Sequence, residues 1–261
     1  MKTKKLLDNR NPSTAGIIAG ICKGDLWLND HKNPTLAVTY SYCVGGCGIA
    51  GEIDNGREYE VKEFLERVFE DLLLQGIDYF EFASEDPKIC KQILPLFSEK
   101  VIESEEEYSY RRENAFDEMQ DISDEYVFQE VKDSLLDDII ANKFKNNQIF
   151  MKRFIHSWEG KEKFLKYSKA FVAIKADRIV GVIFGSARYE NVITIDIEVE
   201  KEDRKQGLGT RLTQIMVNEC VKEDIIIQWD HVESNMASAR LAKKCEFVLF
   251  KKRPYYWFKI R

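Results

Sequence analysis

Between Tyr59 and Gln75, apolar residues recur three and four positions apart: Val61, Phe64, Leu65, Val68, Phe69, Leu72 and Leu73. That spacing lines them along one stripe of a helix, and Gly76 supplies its stop. Leu36 to Tyr42 is β-rich, and Asp78 to Ala83 reads as a second strand. Ser84-Glu85-Asp86-Pro87 starts a helix whose apolar face is Ile89, Ile93, Leu94 and Phe97. From Glu99 to about Asp138 the chain turns acidic and reads as a solvated connector. Its aromatics, Tyr108, Tyr110, Phe116, Tyr126 and Phe128, predict some packing as short strands. Residues 1 to 35 read as irregular.

The later part is more regular. Helical pieces between Ile149 and Tyr167 precede a hairpin of Ala170 to Lys175 and Arg178 to Tyr189. Val192 to Val199 is a third strand, and Leu208, Leu212, Ile215, Met216 and Cys220 mark a helix. Ile225 to Gln228, Asn235 to Cys245 and Pro254 to Ile260 then read as strand, helix and strand. The order β–β–β–α–β–α–β belongs to an α/β (α+β) fold with a mixed, mostly antiparallel central sheet. A boundary between about 125 and 150 divides the chain into an N-terminal α/β domain, 1–140, and a second domain, 141–261.

The 261 residues are 44% hydrophobic and carry a net charge of −6. No global basic field exists to hold nucleic acid or an anionic membrane. No apolar run is long enough to span a bilayer. Met1 to Lys5 is basic, but Asp8, Asn9 and Arg10 interrupt what would be a signal-peptide core. The expectation is a cytoplasmic monomer or homodimer. Six scattered cysteines and three isolated histidines show no zinc spacing, so no metal is expected.

The chemistry concentrates after the third strand, in Arg204-Lys205-Gln206-Gly207-Leu208-Gly209-Thr210. Glycines before a helix start leave outward-pointing N–H groups uncovered, which suits phosphate. Arg204 adds a cation at the rim. Three readings compete: a plain helix start, a dinucleotide fingerprint with Asp230 as its ribose acid, and an acyl-CoA loop. Leu212 occupies the third glycine position of the fingerprint, and too little chain follows to complete a doubly wound sheet.

Val199-x-Lys201-x-x-Arg204-x-x-Gly207-x-Gly209 resembles the signature loop of the GNAT superfamily of N-acetyltransferases. Asn235-x-x-Ser238-x-x-Leu241-Ala242-x-Lys244-Cys245-Glu246-Phe247 resembles its second motif. The likeness covers about residues 150–261. It extends, on looser positions, to a bacterial group of two-part members that includes the zwittermicin A resistance acetyltransferase. The features are Trp27 with Asp30 and Pro34, Ser157-Trp158 before Phe164-Leu165, and Trp229-Asp230. Two departures stand out: Ala242 replaces the family's frequent tyrosine acid, and Glu246 replaces a glycine.

The resemblance implies acetyl-CoA as co-substrate and a small-molecule or peptide amine as acceptor. It places Ile197 and Val199 at the thioester, residues 204–210 at the phosphates, and Asn235 and Ser238 at the pantetheine arm. Thr194, Asp196 and Glu198 share one face of their strand. Glu198 is the first candidate for the base and Asp196 the second, against a plain role on a wet strand face. Tyr255 and Tyr256 are candidates to replace the lost acid. The alternatives are a non-catalytic acyl-CoA-binding module and an aminoacyl transferase using charged tRNA, which the acidic balance disfavours. Strand and helix spacings from Leu36 parallel those from Val192. The first part is therefore expected to be a degenerate GNAT-like half. Glu52, Asp54, Glu58 and Glu60 replace its phosphate loop, and it walls the amine pocket.

Overall fold

A computed structural model describes residues 6–261; Met1 to Lys5 lie outside the described residues. Among the described residues, eleven strands form one sheet. In chain order they are β1 (Asp25–Leu28), β2 (Leu36–Ser41), β3 (Gly46–Gly51), β4 (Tyr79–Ser84), β5 (Glu103–Arg112) and β6 (Tyr126–Glu130). Then follow β7 (Ala170–Lys175), β8 (Arg178–Tyr189), β9 (Val192–Val199), β10 (Ile226–Val232) and β11 (Val248–Lys259). The order across the sheet is β1-β2-β3-β4-β11-β5-β10-β9-β8-β7-β6. The β3–β4 and β9–β10 pairs are parallel. The other neighbours are antiparallel.

This order repeats itself about its centre. β1 to β4 lead to β11 just as β7 to β10 lead to β5, with the same directions. The first part thus has the strand order of the second, one strand out of step with the spacing read in the sequence: β3, and not β2 at Leu36, is the counterpart of β9 at Val192. The two parts exchange their last strands: β11 closes onto β4, and β5 closes onto β10. The sheet runs unbroken past residue 140.

The helix α2 (Glu58–Leu74) lays Val61, Phe64, Leu65, Val68, Phe69 and Leu72 onto the first part, where Phe80, Phe82, Phe97 and Phe258 interlock. Each such ring contributes about 1.5–3 kcal/mol by leaving water. α3 (Pro87–Ile93) closes the same core. In the second part the sheet lies between two helical layers. α7 (Leu208–Val221) and α8 (Met236–Lys244) cover Ile193, Ile195 and Trp229. On the other face α4 (Asp133–Ile140), α5 (Gln148–Ser157) and α6 (Lys161–Tyr167) cover Val172, Val182 and Phe184. The short α1 (Pro12–Ile18) adds Ile17 to this layer.

Two expectations need correction. The start of the acidic connector is β5, a ten-residue strand at the centre of the sheet. Its acids are matched by distant partners: Glu107 pairs with Arg253 at 2.5 Å, and Glu105 accepts from the Ser234 N–H. The opening 35 residues hold α1 and β1, with Asn11 capping α1 through its side chain.

Candidate active site

The site begins with a local irregularity. The β8–β9 register slips between Gly185 and Ala187, leaving Ser186 as an extra residue opposite Thr194. Ser186 Oγ lies 3.1 Å from Thr194 Oγ1 and donates to the Thr194 carbonyl. A bulge bends its strand, and here β9 parts from β10. Only Val192 to Thr194 pair with Ile226 to Gln228. From Ile195 to Val199, backbone groups facing β10 have no ladder partner across the gap.

The gap opens into a cavity of about 560 Å³. Ile197, Val199, Arg204, Lys205, Gly207, Leu208, Gly209, Thr210, Asn235 and Ser238 line it; Gln206 is exposed outside its lining. Lys205 and Gly207 both take left-handed backbone, at φ +66° and +86°. Alternating handedness of this kind curls successive N–H groups inward. Gly207 caps α7, and no side chain bonds to that helix end. The first intrahelical bond runs from Arg211 N–H to the Gly207 carbonyl, so the N–H groups of Leu208, Gly209 and Thr210 have no intrahelical acceptor. Arg204 is exposed and its Nε donates to the Val199 carbonyl at 2.9 Å, folding the side chain across the loop. These residues fit a pyrophosphate: uncovered donors at the end of a fourteen-residue helix, with a cation beside them.

Asn235 caps α8 by accepting from Ser238 N–H at 3.1 Å, and Ser238 Oγ accepts from Trp229 Nε1 at 2.7 Å. Ala242 is fully buried in the core, so no hydroxyl replaces the family's tyrosine at that position. Tyr256 packs on Phe82 in the core of the first part. Tyr255 donates to Glu81 at 3.1 Å; burial and that carboxylate push its phenol well above the ordinary range.

The two carboxylates of β9 meet cations from α5. Arg153 is buried and lies 2.7 Å from Asp196 Oδ2 and 2.9 Å from Glu198 Oε2. Lys152 approaches the same Glu198 oxygen at 2.8 Å. Burial works to raise the Glu198 pKa, but the bonds from Lys152 and Arg153 outweigh it and hold the carboxyl below its ordinary value. Nothing in the local sequence announces α5 as the partner, because the contact spans more than forty residues.

A second cavity, of about 350 Å³, adjoins the first through Ile195, Asp196, Asp230 and Asn235. Its walls come from both parts of the chain. Thr39, Ser41, Cys43 and Gly48 stand on the first, and Ser186, Thr194 and His231 on the second. Asp196 lines both cavities, whereas Glu198 lines the first. Cys43 and His231 share this space without a bond between them, and burial raises the Cys43 thiol above its ordinary value. In the first part, by contrast, the position of the phosphate loop carries Glu58 and Glu60 in the opening turn of α2. Among the described residues no group of His, Cys, Asp and Glu is placed to hold a metal, and no helix is long and apolar enough to cross a membrane.

The fold, the parted strands and the glycine loop define a class, and sequence comparison agrees with it. The profile of the GNAT acetyltransferase family matches residues 4–256, and the chain belongs to that family. Membership implies acyl transfer from acyl-CoA. A GCN5-related N-acetyltransferase-like protein from Streptococcus suis superposes with a TM-score of 0.62 at 15% identity, covering 90% of this chain and 88% of that one. A tandem GNAT protein from the clavulanic acid biosynthesis pathway gives 0.62 at 9% identity, over 98% and 91%. A GCN5-related N-acetyltransferase from Kribbella flavida gives 0.59 at 9%, over 95% and 94%. At these identities the likeness is one of fold. No curated protein matches, and the narrower likeness to the zwittermicin A resistance group is not among these findings.

Proposed function

We propose that the chain is an acetyl-CoA-dependent N-acetyltransferase with one cofactor site, acting on a primary amine held between its two parts. The observation that carries this reading is that two cavities share Ile195, Asp196, Asp230 and Asn235 as walls where β9 parts from β10. Bound acetyl-CoA supplies the acetyl thioester. Leu208, Gly209 and Thr210 N–H groups and Arg204 hold the phosphates, while Asn235 and Ser238 flank the pantetheine path. The unpaired β9 backbone offers donors for the thioester carbonyl. A C–N bond forms as the C–S bond breaks, and the thiol leaves with a proton. Of the two β9 carboxylates, Asp196 is the better placed to receive the amine's proton, since it faces both cavities. Glu198 is held ionised by two cations, which lowers its basicity.

Calorimetric titration with acetyl-CoA, followed by thiol release across an amine panel, tests the proposal. Absence of heat and of any thermal shift at millimolar acetyl-CoA refutes it. The buried Ala242 favours a second reading, an acyl-CoA-binding module without turnover; binding with no thiol release from any amine would support that one.

A further inference from the structure

The second cavity carries an asymmetry of charge. Its lining holds three carboxylates, Glu107, Asp196 and Asp230, against one guanidinium, Arg253. Glu107 is paired with Arg253, which also binds Glu85, and Asp196 is paired with Arg153. Asp230 has no cation within ion-pair distance among the described residues. Its carboxylate accepts from Gln228 Nε2 at 3.1 Å and from Ser109. The neighbouring cations are committed elsewhere. Lys251 bonds to Glu85 and the Arg10 carbonyl, and Arg111 bonds to Gln228 and the Asn9 carbonyl. Asp230 is half-buried on β10 and lines both cavities. Lys251, Arg253 and Arg111 act on Asp230 through space, but none of them bonds to it, so a cationic group of a ligand would be its first direct ion pair.

The rest of the wall is made of hydrogen-bonding groups. Thr39, Ser41, Ser186 and Thr194 contribute hydroxyls. His231 Nδ1 is 3.0 Å from the Val232 carbonyl, which assigns the proton to Nδ1. Its Nε2 is buried with no partner. Among the described residues of the lining the one Lys or Arg is Arg253, and it is bonded to Glu85 and Glu107.

We infer that the acceptor is a small cationic amine without a neighbouring carboxylate, and that Asp230 is the side chain that takes its ammonium group. This rests on the reading of the second cavity as the acceptor site. A ligand carboxylate beside the amine would meet Asp230, while Arg253, the cation of the lining, is already bonded to Glu85 and Glu107, and so would be disfavoured. Burial and the nearby Glu107 raise the Asp230 pKa, so an arriving ammonium would relieve an unfavourable charge.

The test uses matched pairs: tyramine with tyrosine, histamine with histidine, cadaverine with lysine. Each is titrated calorimetrically into the whole protein, alone and with saturating coenzyme A, which has no acyl group to transfer. At least one amine should bind about 30-fold or more tightly than its amino acid, the order of one like-charge contact in a partly solvated cleft. Asp230→Asn, which keeps the shape of the side chain, should weaken that amine by about tenfold or more. The wild-type comparison needs no variant, so it stands if the variant folds poorly. Amino acids binding as well as their amines, no amine binding at millimolar concentration, or an Asp230→Asn protein that melts like the wild type and binds equally well would each overturn the inference. Acetyl-CoA is titrated separately. Amine binding without acetyl-CoA binding would count against the cofactor reading and leave the role of Asp230 in place.

Discussion

Replacing Arg153 with methionine probes the site and the fold together. Arg153 is 7% exposed, bridges Asp196 and Glu198, and donates to the Ile149 carbonyl at 2.7 Å. Methionine keeps most of the buried stem and removes the charge. Shielded charge-assisted bonds contribute about 1.5–3 kcal/mol each, exposed pairs less than about 1. The Asp196 and Glu198 side chains are 40% and 32% exposed, so the two pairs together are assigned only about 2 kcal/mol. The carbonyl bond adds about 1 kcal/mol. A chain of this size loses about 2–4 °C per kcal/mol, so the midpoint should fall by about 6–12 °C. The pH dependence follows from Glu198, whose folded pKa lies below its ordinary 4.5. Its contribution is fully present above 4.5 and is lost as pH falls through the folded value. The gap between variant and wild type should therefore stay level from pH 8 to 5 and narrow below 4.5. Scanning calorimetry across that range decides it. A fall of less than about 2 °C, or a gap as wide at pH 3.5 as at pH 7, refutes the reasoning.

Other outcomes follow from the loop and the thiols. Arg204→Ala should weaken acetyl-CoA by about tenfold by calorimetry, since one charge-assisted contact is lost; unchanged affinity would place the phosphates elsewhere. Gly207→Ala meets both a φ of +86° and side chains of Ile122 and Gln120 within 3.1 Å of the new Cβ. It should destabilise by at least about 1–2 kcal/mol in a urea titration, and wild-type stability would mean that the loop relaxes freely. Cys22 and Cys220 thiols are pushed up to about 12 by burial. At pH 8 a disulfide-exchange reagent should find six thiols in denatured protein and at most a slow reaction at half-buried Cys43 in native protein. Fast release of several thiols from native protein would contradict that burial.

The glycine loop and its helix were legible because their signals are local. Strand alternation, two glycines and an amphipathic helix sit within thirty residues, and each acts on backbone conformation directly. The bulge at Ser186 was not legible, since a register slip leaves no composition signal and depends on how Gly185 and Ala187 meet β9. β5 was half legible for a related reason: its aromatics announced a strand, and its acids a solvated connector. Glu103, Glu105, Glu106 and Glu107 look like a solvated run until Arg253 arrives from 146 residues away. The alternation of Tyr108 and Tyr110 was the available clue; both rings stack on His231. Burying the acids of a strand requires distant cations, and sequence distance hides them.

The exchange of last strands also bears on how the protein is made. While Val248–Lys259 is still to be synthesised, β4 has an unpaired edge and β5 lacks one of its two neighbours. The first part leaves the ribosome with a whole aromatic core waiting for Phe258. Such edges invite pairing with other chains, and pairings this remote in sequence form slowly. The arrival of β11 therefore completes both parts in one event. The two cannot mature separately, and a chain interrupted before Val248 would leave the second cavity without Arg253 and Tyr255 and an aggregation-prone edge in place of a closed sheet.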